Sequence, residues 1–419
     1  MDAPSFSGLL IVVTVAFAVP FALGLVPKVK LPSVVLELVL GIVIGPAVLG
    51  WVQIDTTTSV IALIGLVFLL FLAGLEIEFE HLRGRVLKVT GLAWLGSFAI
   101  AVAIGYALKA GGLVQTPLLV AVILSATSLG VIIPVLKDAG EIATPFGQLV
   151  VAAGTIADFG AIILLSVLFT GEGGTTATLL LIAALLGMAV VLYLVVTGAE
   201  RSRLVMADLQ RLQDTTAQIR VRGAIVVLIA FAALAEKLGL EVILGAFAAG
   251  AVLTLVDRDR YMTHPLFRGK LEAIGFGFFI PVFFVASGVR FDLDALVNSM
   301  DALVKVPVFL VALLVIRGLP ALAYRADLGA RRTAVAALFQ ATSLPFIVAA
   351  TAIGLELGLI GGAEAAALVA AGLLSLLIFP LAGLTILRMA PRPPAGGPSA
   401  LGDRDVAVGP DGQRAAAVE

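Results

Sequence analysis

Apolar residues run through this chain in long blocks, separated by short clusters of charge, glycine and proline. A helix needs about 20 predominantly apolar residues to cross the hydrocarbon layer of a bilayer. Thirteen such blocks are readable, at about 7–26, 32–50, 58–77, 89–109, 116–136, 144–169, 176–198, 222–236, 239–256, 271–289, 303–324, 333–356 and 362–387. The least distinct boundary is near Lys237, where one long stretch must become two short spans. The first block lacks a basic start and a small-residue cleavage site, so it reads as a span and not as a signal peptide. The pattern predicts an all-α polytopic membrane protein.

Composition narrows the picture in the same direction. The 419 residues are 61% hydrophobic and 13% charged, with mean hydropathy +1.15, against about 25% charge in ordinary soluble domains. Both a cytosolic globule and a disordered chain are excluded. A net charge of −1 suggests no nucleic-acid partner. The absence of cysteine excludes a disulfide framework, a thiolate nucleophile and a sulfur metal site. Arginine outnumbers lysine, 19 to 8, and with the abundant Ala, Val, Gly and Leu this hints at a GC-rich bacterial genome.

Charge placement tests the span count, because cytoplasmic loops are enriched in Lys and Arg. With the N-terminus outside, 22 of the 27 basic residues fall on the inner side, from Lys28 and Lys30 to Arg388, Arg392, Arg404 and Arg414. The five others are Lys109, Lys237, Arg290, Lys305 and Arg317. A miscounted span would invert every later loop, so the bias favours thirteen spans, N-out and C-in. Residues 390–419 read as a disordered cytoplasmic tail, and the 199–222 loop has the mixed charge of an interfacial helix.

The two halves of the chain echo each other. Ala126-Thr127-Ser128-Leu129-Gly130 in span 5 and Ala341-Thr342-Ser343-Leu344-Pro345 in span 12 are offset by 215 residues. Phe71-Leu72-Ala73-Gly74 resembles Phe284-Val285-Ala286-Ser287 at offset 213. Seven spans separate the Thr-Ser stretches, so their spans run in opposite directions. The chain therefore divides into two inverted repeats: residues 1–169 with spans 1–6, and residues 222–389 with spans 8–13. A linking helix and cytoplasmic loop fill 170–221. Paired helix breaks in such repeats point to a transport site. The Ser and Thr residues weaken their helices and offer hydroxyls to freed backbone groups. Two discontinuous helices crossing at mid-membrane would bring helix ends near an ion. The competing reading is that these residues only help helices pack.

Charges at bilayer depth cost at least about 2.5–3.5 kcal/mol each and are functional by default. Asp158 sits near the middle of span 6, in Thr155-Ile156-Ala157-Asp158-Phe159-Gly160, and Arg317 lies deep in span 11. They are the only acid and the only base near the centre of a span. A carboxylate binds an alkali cation or a proton in competition, which is the simplest chemistry for exchange. The alternative for Asp158 is a permanently paired structural acid. Arg317 stays protonated; it is a structural ion-pair partner, a positive counter to helix carbonyl ends, or a participant in transport. Glu37 in span 2 reads as a residue of a subunit or domain seam, and Gln340 beside the second break as a candidate cavity residue. Lys305, near the outer end of span 11, has the length to snorkel. His81 and His264 lack metal-ligand spacing, and no phosphate-binding GxxxxGK loop is present. No enzyme activity and no cofactor are expected.

Several stretches resemble the second family of monovalent cation:proton antiporters, which includes sodium/proton exchangers and the transporter part of glutathione-gated potassium efflux systems. Leu31-Pro32-Ser33-Val34-Val35-Leu36-Glu37-Leu38, followed by Gly41 to Pro46 and by Leu49-Gly50, resembles the family's opening motif. Gly65 to Glu76, Leu244-Gly245-Ala246-Phe247-Ala248-Ala249-Gly250 and Phe283-Phe284-Val285-Ala286-Ser287-Gly288 resemble three further motifs, in the family's order and spacing. The resemblance implies a sodium/proton antiporter-like fold. Spans 4–6 and 11–13 would form an ion-carrying core, and spans 1–3 and 8–10 a dimerisation scaffold against which the core moves. It places the ion-binding acid at Asp158 and the family's basic residue at Arg317. The chain departs from the family pattern at Ala157, where electrogenic members carry a second Asp and electroneutral sodium exchangers often Asn. The nucleotide-binding regulatory domain of many potassium efflux members is not expected here.

Together these readings predict a homodimeric antiporter of the bacterial inner membrane, exchanging Na+ or K+ for H+. Asp158, Thr127, Ser128, Thr342 and Ser343 would bind the ion, with Arg317, Gln340 and Thr155 in electrostatic or structural support. A single titratable group implies electroneutral exchange. Two rivals stand beside it: a sodium-coupled organic anion symporter on a similar scaffold, and a non-transporting membrane sensor.

Overall fold

The computed structural model describes residues 6–25, 32–76, 84–169, 218–238, 241–256 and 266–388, plus Ala183, Gly187, Val190 and Leu194 of the seventh span. The loops with Lys28, Lys30, Glu78, His81, Arg83 and His264, the 199–222 loop up to residue 217 and the 390–419 tail lie outside the described residues.

Twelve of the thirteen blocks correspond to described helices. These are α1 (Ser7–Leu25), α2 (Ser33–Ile44), α3 (Thr56–Leu75), α4 (Gly84–Ala110), the pair α5 (Pro117–Ser125) and α6 (Leu129–Asp138), and α7 (Pro145–Phe169). After the seventh span come α8 (Ile219–Lys237), α9 (Val242–Val256), and α10 (Leu266–Ile274) running through a π-helical turn into α11 (Ile280–Val289). A short α12 (Leu293–Val297) precedes α13 (Met300–Gly318), the pair α14 (Arg325–Gln340) and α15 (Pro345–Glu356), and α16 (Gly362–Arg388). The chain is an all-helical, multi-pass transmembrane protein. Block 2 is shorter than the apolar run suggests: its helix stops at Ile44, because Gly45-Pro46 cannot continue it and Leu49 N–H turns back to Val43 O at 3.0 Å. Block 11 ends at Gly318 for the same reason, with Pro320 opening a 3-10 turn.

Helix packing follows a two-fold exchange of the repeats. Helix α2 packs along α11, and α3 along α9, so the second and third spans of one repeat meet the third and second of the other. Both seams rest on glycine. A Cβ at Gly288 would sit 2.9 Å from Gly41 Cα, and one at Gly250 would sit 2.9 Å from Leu75 N, opposite Gly74. In lipid, where apolar burial drives little association, such backbone approach supplies the packing. Helices α4, α5, α6 and α7 assemble with α13, α14, α15 and α16 into the rest of the molecule. Between the two groups the main seam is α7 against α9, where the Phe159 and Phe247 rings lie 5.5 Å apart.

The two discontinuous helices cross as expected. Ser128 N–H donates to Thr342 O at 2.8 Å, joining one break to the other. The second break has a local cause: Pro345 opens α15 and holds Leu344 out of the helical region, at φ −142° and ψ −55°. The first break contains no proline. Ala126 and Ser128 are non-helical there (ψ 162° and 89°), and the partner break takes up the freed Ser128 N–H.

Candidate functional site

Four helix ends meet at the crossing: the carbonyl ends of α5 and α14 and the N–H ends of α6 and α15. Helix ends carry about half a charge of each sign. The two ionisable residues singled out in the sequence sit at opposite poles. Asp158 Oδ1 accepts from Thr127 N–H at 3.0 Å, at the positive end of α6, and its carboxylate also engages the Leu129 N–H. Asp158 keeps partial exposure, unlike its neighbour Ala157.

Arg317 faces the carbonyl end of α14 and the last turn of its own helix, α13, and is 1% exposed. Its Nε and Nη2 donate to Thr127 Oγ1 at 3.0 and 2.8 Å, and Nη1 donates to Ser97 Oγ at 3.1 Å. Each hydroxyl passes its own proton to a helix-terminal carbonyl, Thr127 to Gln340 O at 2.7 Å and Ser97 to Ile316 O at 2.7 Å. The guanidinium makes no ion pair with a carboxylate among the described residues. Of the three readings of Arg317, the geometry matches a positive counter to carbonyl ends, relayed through two hydroxyls.

Thr127 is the hub. Its N–H holds Asp158, while its hydroxyl accepts twice from Arg317 and donates to Gln340 O, so every lone pair and proton is used. Acid and base are coupled through this one residue without touching each other.

The other sequence-derived candidates divide. Thr342 lends its carbonyl to the crossing, but its hydroxyl turns back to Leu338 O at 3.1 Å. Thr155 likewise bonds Val151 O at 3.0 Å within its own helix. The hydroxyls of Ser128 and Ser343 are buried and have no protein partner. Two unpartnered oxygens, one at each of two breaks joined by the Ser128–Thr342 bond, are of the ligand type that suits a dehydrated alkali cation. Gln340 is 1% exposed; its side chain engages Tyr324 while Nε2 is unpartnered. Glu37 lies away from the crossing, 2% exposed and bonded to Ser33 one turn back. Lys305 is 8% exposed and its ammonium reaches back one turn to Asp301 at 2.6 Å, an exposed acid in the first turn of α13.

Three residues of the site were missed in the sequence reading: Ser97, Tyr324 and Ser375. Ser97 and Ser375 were signalled faintly, each a lone hydroxyl inside an apolar run. Ser375 Oγ accepts from Ser343 N–H at 3.1 Å and lies 3.0 Å from Ser343 O and 2.8 Å from Gly372 O. Among the described residues no group of three His, Cys, Asp or Glu side chains forms a metal cluster.

The model of the sodium/hydrogen exchanger transmembrane family matches residues 13–388. The putative Na+/H+ antiporter YjbQ of Bacillus subtilis is 31% identical over 397 residues, which is 91% of this chain and 63% of that protein. This chain thus spans less than two thirds of that relative's length. The probable Na+/H+ antiporter 3 of Methanocaldococcus jannaschii is 29% identical, covering 88% of this chain and 94% of that protein. The solved structure of the sodium proton antiporter MjNhaP1 from the same organism superposes with TM-score 0.64 at 18% identity, over 91% of this chain and 98% of that one. At that identity the likeness concerns the fold.

Proposed function

Because the chain belongs to the sodium/hydrogen exchanger family, we propose that it is a secondary antiporter exchanging a monovalent cation, Na+ or K+, for a proton. Asp158 is the group that takes them in turn. The observation that carries this reading is the carboxylate held at the N–H end of α6, where the two breaks meet and each carries a buried, unpartnered serine hydroxyl, Ser128 and Ser343. The deprotonated acid and these oxygens bind a cation; protonation neutralises the acid and removes the main attraction. Arg317 does not titrate in the cycle. It balances the carbonyl poles and keeps them from competing with Asp158 for the cation.

Among the described residues Asp158 is then the one carboxylate bonded at the crossing, with Ala157 before it. Exchange is accordingly one proton for one cation and carries no net charge. The helices α4 to α7 and α13 to α16 move as the core against a scaffold of α1 to α3 and α8 to α11. Their sparse mutual packing, mainly α7 on α9, supports a sliding seam. The scaffold forms a homodimer, and the protein lies in a bacterial inner membrane with its N-terminus outside. The chain catalyses no covalent chemistry and needs no cofactor.

The test uses purified protein in liposomes holding a pH-sensitive dye. A proton gradient is imposed, then Na+, K+ or Li+ is added to wild type and Asp158→Asn in parallel. Proton efflux driven by one cation in wild type and abolished in Asp158→Asn is the expected result. Silence with every cation, or exchange surviving in Asp158→Asn, would overturn the reading. Dependence on membrane potential would overturn the electroneutral stoichiometry alone.

A further inference from the structure

The inverted repeat relates more than the two breaks. Around the first break, Leu129 opens α6 against Gly154 of α7, and Asp158, one turn further along α7, receives the N–H of Thr127. A Cβ at Gly154 would meet Leu129 Cδ2 at 2.5 Å. Around the second break, Leu344 lies against Gly372 of α16, where a Cβ would sit 3.2 Å from Leu344 Cδ1 and 3.0 Å from Ser343 O. Ser375, one turn further along α16, receives the N–H of Ser343. The two bonds are 3.0 and 3.1 Å long. Leu344 follows Leu129 by 215 residues, Gly372 follows Gly154 by 218, and Ser375 follows Asp158 by 217.

We propose that Ser375 is the repeat-related counterpart of Asp158 and a positioning residue for the cation site, fixing the Ser343 peptide so that the Ser343 hydroxyl stays free for the cation. This rests on the function proposed above. A hydroxyl at this place does what a carboxylate cannot, because it both accepts and donates. It takes the N–H of Ser343 and returns its proton to the carbonyl of Ser343 or of Gly372, pinning the break at both polar atoms of one residue. Ser375 is fully buried, so no water replaces it. Without the Ser375 hydroxyl, the Ser343 N–H and C=O lose their partner, and the nearest hydroxyl able to turn back on them is that of Ser343 itself. The cation then loses a ligand while Asp158 keeps its place at the first break. The repeat has thus kept a helix-borne N–H acceptor beside each break, shifted by one residue (Thr127 to Asp158, Ser343 to Ser375), and the charge once among the described residues.

Liposome exchange of Ser375→Ala, Ser375→Thr and a control, Ser166→Ala, tests this beside wild type and Asp158→Asn. Ser166 is equally buried and its hydroxyl has no partner. The expected result is a rise of about fivefold or more in apparent KM for the cation in Ser375→Ala, with the maximal rate within about twofold. Ser375→Thr, which keeps the hydroxyl, returns to near the wild-type KM, and Ser166→Ala does not move it. Cation-dependent thermal stabilisation of the detergent-solubilised protein shifts to higher cation concentration by the same factor. An unchanged KM in Ser375→Ala overturns the proposal, as does a fall in rate alone, or a shift that threonine fails to restore in folded protein. Should wild type show no exchange, or Asp158→Asn keep it, the proposed function falls and this inference with it. An intact Asp158 dependence with an indifferent Ser375 sinks this inference only.

Discussion

Replacing Thr127 by valine isolates the hub of the crossing. Valine keeps the side-chain shape and the backbone N–H that Asp158 Oδ1 accepts; only the hydroxyl goes. That hydroxyl receives bonds of 3.0 and 2.8 Å from Arg317 and gives one of 2.7 Å to Gln340 O. Neutral side-chain hydrogen bonds in membrane proteins average only about 0.6 kcal/mol, because the unfolded helix in lipid also finds partners. Bonds from an ionised donor are worth about 1.5–3 kcal/mol. The charged donor decides this case, since Arg317 is 1% exposed and would keep only its bond to Ser97. Stripping one side of a buried charge network costs about 3–5 kcal/mol. Taking the low end, about 3 kcal/mol, the competent crossing is depopulated roughly 150-fold. Thr127→Val should therefore lose about two orders of magnitude in exchange rate and melt at a lower temperature in detergent, followed by size-exclusion chromatography. Thr127→Ser, which keeps the oxygen, should stay within a few-fold of wild type. A valine variant that melts and transports like wild type would refute the relay through Thr127, as would serine and valine variants that are equally impaired.

Three further outcomes follow from the same geometry. Under the proposed competition of proton and cation for Asp158, lowering the pH below its titration should raise the apparent KM for the cation about tenfold per pH unit; a KM that falls as the pH is lowered contradicts competition at one carboxylate. Arg317→Lys replaces a planar fork by a point charge that cannot hold Thr127 and Ser97 in the same geometry, so it should transport poorly while remaining as well expressed as wild type; full activity would mean that charge alone suffices. Gly250→Val drives a side chain into the backbone of α3 near Phe71 and Leu75. It should destabilise the scaffold by about 1–3 kcal/mol, seen as a lowered melting temperature.

The span pattern was legible because bilayer thickness imposes one length on every apolar block, and a chain this apolar has no other way to hide its backbone. The ends of the blocks were less legible. Hydropathy does not see the Gly45-Pro46 stop or the 3-10 turn at Pro320, where apolar residues continue after the helix has ended. The crossing was legible as a pair of weak helical segments at one offset. The division of labour within it was not. Thr127 and Thr342 look alike in sequence, yet one hydroxyl joins two helices and Arg317 while the other closes on its own helix. The difference lies in what stands opposite each break, a long basic side chain from α13 in one case only. Periodicity along one strand of sequence carries no information about that neighbour.

The same asymmetry bears on how one charge can be carried through a membrane. A two-fold crossing presents two N–H poles and two carbonyl poles, and each pole prefers a charge of opposite sign. Here one N–H pole meets a carboxylate and the other a neutral hydroxyl, while a single guanidinium serves carbonyls of both α13 and α14. With Asp158 ionised and Arg317 protonated, the crossing is formally neutral. In the proposed cycle, binding a monovalent cation or a proton brings it to +1 by either route. The loaded core then presents the same charge to the membrane whichever ion it carries, and the electrical work of the two half-cycles cancels. Equal charge in both loaded states is the physical content of electroneutral exchange. It depends on Arg317 never releasing its proton, which the intrinsic basicity of the guanidinium secures while Thr127 and Ser97 accept its N–H groups.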